Sequence, residues 1–507
     1  MSMPPSGTAS VTQKSGSASG AKSGDGVLDR YEPVIGLEVH CQLKTKTKLF
    51  CSCSTKFGVL PNHNTCPICL GHPGVLPVLN KEAVDYAIRL ALALDAEIHE
   101  TSVFARKQYF YPDLPKGYQI TQYDLPYCTD GKLKLSSGTV VRIMRIHMEE
   151  DAGKNVHGEA SSYVDLNRAG IPLLEIVTHA DLRNPEDAAD YLKRLRSLVR
   201  HLDICDGNLE EGSFRCDVNI SIRKRGVEKF GTRCEIKNLN SFKNIERAIR
   251  YEIIRQADIL DHGGTVTQQT MQFDAASGKT SAMRSKEESH DYRYFPEPDL
   301  RPLKITKTRI DAVREGLAEL PEAMAKRFQA QFGLSEYDAT VLTADRDFAH
   351  FFEAVVRRVN GSVSHKIVAN WVTSEFLREL NVREWDVANP PVTADMLGEL
   401  LELLGREVVS GRIAKTIFEE MVEKGGTAGS IVQRDGLTQI SDVGAIRAVV
   451  SQVLSESTTQ IEQYLLGKDK LFGFFVGQVM KKCEGKMNPG LVNDTLKEML
   501  NARRAGG

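Results

Sequence analysis

Val34-Ile35-Gly36-Leu37-Glu38-Val39-His40-Cys41-Gln42-Leu43 decides how the first half of the chain is read. Taken with a period of two, it sets Leu37, Val39, Cys41 and Leu43 on one face and Glu38, His40 and Gln42 on the other, the pattern of a half-buried strand. One face packs and the other is left for chemistry. A carboxylate and an imidazole two positions apart on a strand point the same way, as a metal ion or a transferring proton requires. For this strand alone a solvated polar face is the simpler reading, and only similar strands further along would change it.

Such strands follow. Arg145-Ile146-His147-Met148-Glu149-Glu150-Asp151 alternates and then ends in three consecutive carboxylates. At that density like charges repel unless the acids splay into water or a cation such as Mg²⁺ sits among them. In the stretch from Arg215 to Arg223, Asp217, Asn219, Ser221 and Arg223 share one face, and in Cys234-Glu235-Ile236-Lys237 the two charged residues share another. Together these strands offer Glu38, His40, Glu150, Asp217 and Glu235 to a hard cation, with Lys237, Arg215 and Arg223 to neutralise phosphate oxygens. Oxygen ligands with one imidazole suit Mg²⁺ and tolerate Mn²⁺. Phosphoryl transfer is the chemistry that asks for such a set, because its catalysis is mostly charge clamping and positioning.

A chain of 507 residues with 41% hydrophobic side chains has material for about three domains. No apolar run approaches the roughly 20 residues that span a bilayer, no secretory pattern opens the chain, and a cytosolic (cytoplasmic) location is expected. The net charge of −2 leaves no global positive field, so contact with RNA must be local. Of ten cysteines, four cluster as Cys51-Ser52-Cys53 and Cys66-Pro67-Ile68-Cys69. In a reducing compartment that spacing reads as a closed four-thiolate zinc site, which holds a loop and leaves no open position for catalysis.

Residues 1–29 are Ser, Gly, Ala, Thr and Lys with little to bury, and are expected to form a disordered tail. From 30 to 307 short alternating segments dominate, with helices over Lys81 to Leu94 and Glu186 to His201 opened by Asn80 and by Asn184-Pro185. That is an α+β domain built on antiparallel strands. From 308 to 442 apolar residues recur at helical spacing, broken at Asn389-Pro390-Pro391, and 443–507 forms a small helical block of its own. Ser277-Gly278-Lys279-Thr280 has the end of a P-loop without its first glycine and reads as a hairpin turn. The stretches from Tyr109 to Ile120 and from Asp291 to Asp299 are aromatic, polar and proline-stiffened at once. Such loops stack a base or pack rigidly, and the sequence favours neither.

Val34 to His40, Tyr109 to Lys116 (Tyr-Phe-Tyr-Pro-Asp-Leu-Pro-Lys), His147 to Lys154, Val164 to Ile176, Leu239 to Phe242 and Asp291 to Asp299 together resemble the B-subunit family of the aspartyl/glutamyl-tRNA amidotransferases (the GatB family). The resemblance runs from about Tyr31 onward. It implies a glutamine-synthetase-like antiparallel-sheet cradle with the kinase and transamidase site, then a helical domain, then a helical tail domain that binds tRNA. It implies ATP-dependent phosphorylation of the side-chain carboxylate of Glu-tRNA(Gln) or Asp-tRNA(Asn), followed by amidation with ammonia. The ammonia would come from an amidase-fold glutaminase subunit, with a small third subunit completing a heterotrimer. Carried over by position, the Mg²⁺ and phosphate site falls on Glu38, His40, Glu150, Asp217 and Glu235, with Glu150, Lys237 and Arg215 as catalytic candidates. An ammonia path would run along Lys107, Tyr109, Lys116, Tyr118 and Glu149. The cysteine set Cys51, Cys53, Cys66 and Cys69 varies within the family, which supports a structural zinc. A stand-alone metal-dependent amino-acid ligase would explain the carboxylates but not the helical domains; a zinc-stapled RNA-binding scaffold would leave the carboxylates idle.

Overall fold

The structure, a computed structural model, describes residues 25–158, 161–283, 292–383, 385–437, 442–483 and 486–505. Most of the expected N-terminal tail, Asp291 of the second aromatic stretch and Ser441 lie outside them. Asp25–Leu28 form a helical turn rather than open chain.

Among the described residues the chain divides into two compact units, Met1–Arg196 with Cys205–Glu315, and Ser197–Ile204 with Gly316–Gly507. The first unit is α+β and carries a sheet of twelve strands: β1 (Tyr31–Gln42), β2 (Glu97–Ile98), β3 (Ala105–Gln108), β4 (Tyr118–Thr121), β5 (Cys128–Lys134), β6 (Val140–Glu150), β7 (Pro172–Thr178), β8 (Phe214–Lys224), β9 (Cys234–Lys237), β10 (Gln269–Asp274), β11 (Lys279–Ala282) and β12 (Phe295–Pro296). The order across the sheet is β11-β10-β9-β8-β1-β7-β6-β4-β3-β12, with β5 also on β6 and β2 on β5. Neighbours run antiparallel except β9 and β10, which are parallel. Ser277 and Gly278 form the turn between β10 and β11, as the hairpin reading expects.

Strand β1, which carries Glu38 and His40, lies at the centre, between β7 and β8. Its alternation is literal: Leu37, Val39 and Cys41 are buried, while Glu38, His40 and Gln42 stand half-buried on the other face. Each apolar side chain so buried contributes about 1.5–3 kcal/mol, and a slip of one residue would turn all of them outward. Burial of the packed face therefore fixes where the polar face points.

Helix α1 (Lys81–Ala93) is capped by Asn80, whose side-chain oxygen accepts from the backbone N–H of Glu82 at 2.9 Å, while its amide donates to Thr47. Asn184 caps α2 (Pro185–His201) through the Asp187 N–H. Helix α3 (Phe242–Asp261) packs on β8, and its buried Gln256 both accepts from the N–H of Ile222 and donates to the carbonyl of Ile220. A helix side chain thus substitutes for a missing ladder partner, which ties α3 to the sheet. The first unit ends with a helix over Lys307–Glu315, held by Arg309 to Asp85 and to the carbonyl of Lys81.

The described secondary-structure elements of the second unit are helices, with two separate hydrophobic clusters. One, between residues 324 and 432, is built on Phe328, Phe352, Phe376 and Phe418; the other, between 446 and 500, on Val450, Phe475 and Leu496. Thr393 and Asp442 cap helices Ala394–Gly405 and Val443–Glu456. No described helix is long and apolar enough to cross a membrane.

Removing the Asn80 cap tests how the first helix is anchored. Asn80→Ala is expected to cost about 1 kcal/mol, read as roughly fivefold faster amide exchange at Glu82 and Ala83. Unchanged exchange at both amides would show that the cap contributes nothing.

Candidate functional site

On the polar face of the central strands, register rather than sequence distance determines which groups meet. His147 of β6 pairs with Glu175 of β7, Glu175 pairs with His40 of β1, and His40 pairs with Arg215 of β8, so four strands contribute one row. One row along, Glu38 faces Asp217. The result is an alternation of acid and imidazole. His40 Nε2 lies 3.7 Å from Glu38 and 3.5 Å from Glu175, and His147 Nε2 lies 3.5 Å from the same Glu175 oxygen and 3.7 Å from Glu149. These separations are at the long end for hydrogen bonds, and opposite charge adds to weak hydrogen bonding along the row.

Burial sharpens the electrostatics. Glu38 is pushed up to about 6, by desolvation first and then by the negative charge of Glu175. Burial alone would lower both histidines, but Glu175 and Glu149 outweigh it: His40 is raised and His147 reaches about 9. Glu175 is held well below the usual carboxylate range because the two imidazoles outweigh its desolvation. Acids this close and this buried need positive charge from somewhere.

Two ligand sets meet the geometric demand of one cation, Glu38 with His40 and Asp217, and His40 with Glu149 and Glu175; within each, the donor atoms lie within 4.8 Å of one another. Ligands opposite each other across a Mg²⁺ ion at 2.0–2.1 Å stand about 4.2 Å apart, so either set closes on an ion with small side-chain adjustments. Carboxylates with one imidazole are the donors Mg²⁺ and Mn²⁺ accept. Beside them, Lys237 reaches Asp217 at 3.0 Å and Glu235 at 3.2 Å, and Arg215 grips Asp151 through two nitrogens at 2.9 and 3.1 Å. Lys107 is raised above the ordinary lysine range, since the Glu149 charge outweighs its desolvation, and its ammonium lies 4.9 Å from the centre of the Tyr292 ring.

The structure therefore brings together Glu38, His40 and Asp217 of the sequence-derived set, keeps Glu235 on the same face one strand over, and separates Glu150. Consecutive residues on a strand face opposite ways, so with Glu149 beside His147, Glu150 must point through to the other side. There it pairs with Lys116 and accepts from the backbone N–H of Ile120 at 2.9 Å. Lys116 and Tyr118 share that opposite side, whereas Tyr109 donates its hydroxyl hydrogen to Gln119 and is raised chiefly by burial. Two members of the row went unrecognised in the sequence, His147 and Glu175. Glu175 sits in Pro172-Leu173-Leu174-Glu175-Ile176-Val177, where one acid inside an apolar run was the available signal.

Glu150 and Lys116 line a cavity of about 210 Å³ together with Cys51 and Cys69. The Sγ atoms of Cys51, Cys53, Cys66 and Cys69 lie within 4.8 Å of one another and form no disulfide. A tetrahedral ZnS₄ site with 2.3 Å bonds has S···S edges of about 3.8 Å, and Cys66 and Cys69 stand 3.9 Å apart. Hydrogen bonding with Cys51 brings Cys69 down to about 4 and drives Cys51 up. The four thiols fit a closed zinc site.

Known proteins resemble this chain over most of its length. The family described as GatB/GatE catalytic domain matches residues 33–311, and the GatB domain matches residues 350–500. The B subunit of the aspartyl/glutamyl-tRNA(Asn/Gln) amidotransferase from Solidesulfovibrio magneticus is 54% identical over 478 residues, spanning 93% of this chain and 100% of that protein. The proteins of the same name from Thioalkalivibrio sulfidiphilus and Persephonella marina are 54% and 53% identical, each over 93% of this chain and 99% of their own length.

Because Glu175 raises both imidazoles, Glu175→Gln is expected to lower the pKa of His40 and His147 in protein stripped of divalent ions. Histidine NMR titration reads this directly. Unmoved titration curves would contradict the arrangement.

Proposed function

This chain belongs to the family of aspartyl/glutamyl-tRNA(Asn/Gln) amidotransferase B subunits, and from that premise we propose how its acidic sheet face serves the reaction. Membership makes it part of a tRNA-dependent, glutamine-hydrolysing amidotransferase, an enzyme of the ligase type. The chemical problem is an amino acid esterified to the wrong tRNA, glutamate on tRNA(Gln) or aspartate on tRNA(Asn). Its side-chain carboxylate is anionic and a poor electrophile. Transfer of the γ-phosphoryl group of ATP to one carboxylate oxygen releases ADP and leaves a mixed anhydride; ammonia then attacks the acyl carbon, and phosphate departs with that oxygen.

The observation that supports this reading best is His40 shared between two carboxylate sets. Glu38, His40 and Asp217 are the proposed ligands of a divalent cation, with Glu149 and Glu175 on the other side of the imidazole. When bound there, a Mg²⁺ ion supplies positive charge to phosphate oxygens. Lys237 and Arg215 flank the set on β9 and β8 and orient and neutralise the transferring group. Glu235, bonded to Lys237 and to the Thr270 hydroxyl, positions that lysine. Lys107, Tyr109 and Glu149 line the approach for ammonia on the same face. Glu150, on the opposite face, holds Lys116 and the β4 backbone beneath the four-cysteine knuckle, and the knuckle takes a structural zinc.

The remaining assignments follow the family. Residues 30–307 serve as the glutamine-synthetase-like cradle, residues 308–442 as the helical domain, and the block from Val443 as the tRNA-binding tail domain. An amidase-fold glutaminase partner supplies ammonia, and a small third chain completes the heterotrimer.

In the assembled enzyme, Glu38→Gln or Asp217→Asn is expected to slow amide formation and tRNA-stimulated ATP hydrolysis roughly 100-fold or more, since charge clamping is worth several kcal/mol, with tRNA binding intact. Full activity in both variants would sink the cation assignment. Removing the chain from Val443 onward should weaken tRNA binding more than it slows turnover at saturating tRNA, measured by filter binding and single-turnover amidation. An unchanged binding curve would reassign the tail.

A further inference from the structure

Lys48 has a completely buried side chain. A lysine enters the interior only when its ammonium has partners for its three hydrogens and an answer to its charge. Nζ donates to the carbonyl of Asn64 at 2.6 Å and to that of Leu166 at 3.3 Å, and lies 3.7 Å from Sγ of Cys69. Two neutral carbonyls satisfy hydrogens but cancel no charge. Among the described residues no carboxylate forms an ion pair with this ammonium; Glu150, which lines the same cavity, is paired with Lys116, so the Cys69 sulfur is the acidic group within hydrogen-bond reach of Lys48.

The need is mutual. Four thiolates around a divalent ion sum to a charge of −2, and Cys69 is itself buried, so the site gains from a cation that water cannot supply. We propose that Lys48 is the outer-sphere cation of the four-cysteine site, its ammonium hydrogen-bonded to Cys69 and offsetting half of the excess thiolate charge, so that it retains the metal. The inference rests on reading those cysteines as a zinc site and adds a residue outside the ligand set. Outer-sphere partners of this kind are worth 10–100-fold in metal affinity.

The surroundings separate this electrostatic role from a packing role. The knuckle is already fastened to the segment after β6 without Lys48: Leu166 donates its backbone N–H to Asn62, Asn62 donates to the carbonyl of Val164, and Asn167 donates to the carbonyl of Leu60. The lysine stem fits against Gly170, where a Cβ would stand 3.4 Å from its Cδ and 3.6 Å from Cys69 Cβ. Methionine keeps most of that stem and removes the charge. Asn167→Ala does the converse: it keeps the lysine and its charge but loosens the knuckle, including Asn64, whose N–H the Asn167 side chain accepts.

The test uses the full-length chain loaded with Zn²⁺, and separately with Co²⁺. In chelator competition Lys48→Met is expected to lose 10–100-fold in zinc affinity, and Asn167→Ala much less. In the cobalt-loaded protein the thiolate-to-metal charge-transfer band moves in Lys48→Met and stays in Asn167→Ala. Equal retention by Lys48→Met and the unsubstituted chain, or equal losses in the two variants, overturns the proposal. If Lys48→Met accumulates only as aggregate, excess zinc during expression should restore soluble protein, and failure to restore it counts against the proposal. An unsubstituted chain that takes up no zinc overturns the zinc reading itself, an outcome distinct from a substituted chain that binds it undiminished.

Discussion

One oxygen of Glu175 stands 3.5 Å from the imidazoles of both His40 and His147, and much of the first unit is arranged to make that possible. A carboxylate this buried stays ionised only with positive charge at hand. Three adjacent strands supply it because their registers align His147, Glu175 and His40 in one row. The register is itself held by the packed face, where Val39, Cys41, Ile146, Met148, Leu174 and Ile176 are buried. Hydrophobic burial on one side of the sheet thus offsets electrostatic crowding on the other, and neither face can shift by a residue without undoing both.

The period-two pattern of β1 was legible at once, and with it the direction of Glu38 and His40. So were the four-cysteine spacing, the Asn80 cap and the change from strands to helices along the chain. The placement of Glu150 was not, although the same alternation contains the answer: His147 and Glu149 are two apart, so of the consecutive acids only Glu149 can accompany that histidine. Carboxylate density draws the eye to Glu150, whereas strand parity selects its neighbour. Glu175 was harder to see, because its strand reads as a continuous apolar run and its importance comes from cross-strand partners more than 20 residues away. Contacts made by register are invisible until strand order is known, and β7 lies beside β1 despite the distance between them in sequence.

The two sides of β6 separate two tasks that sequence places side by side. Glu149 faces the imidazole row, and Glu150 faces Lys116 and the cavity beneath the cysteines. A pleated strand can serve a reactive face and a structural one with adjacent residues, since its side chains diverge by construction. Under the proposed function the four-cysteine side is the structural one, and the opposite face, with its row of carboxylates and imidazoles, is the one that takes the cation. The helical second unit has its own hydrophobic clusters.

The proposed function places a divalent ion on the face that carries His40. The most direct measurement is an anomalous-scattering map from crystals of the chain with Mn²⁺, a strong scatterer that accepts the same ligands as Mg²⁺. The expected peak lies about 2.2 Å from the His40 imidazole nitrogen, completed by carboxylate oxygens of Glu38 and Asp217 or of Glu149 and Glu175. A map with its strong peak against Glu150 and Lys116, or with nothing within bonding distance of His40 at saturating Mn²⁺, would contradict it.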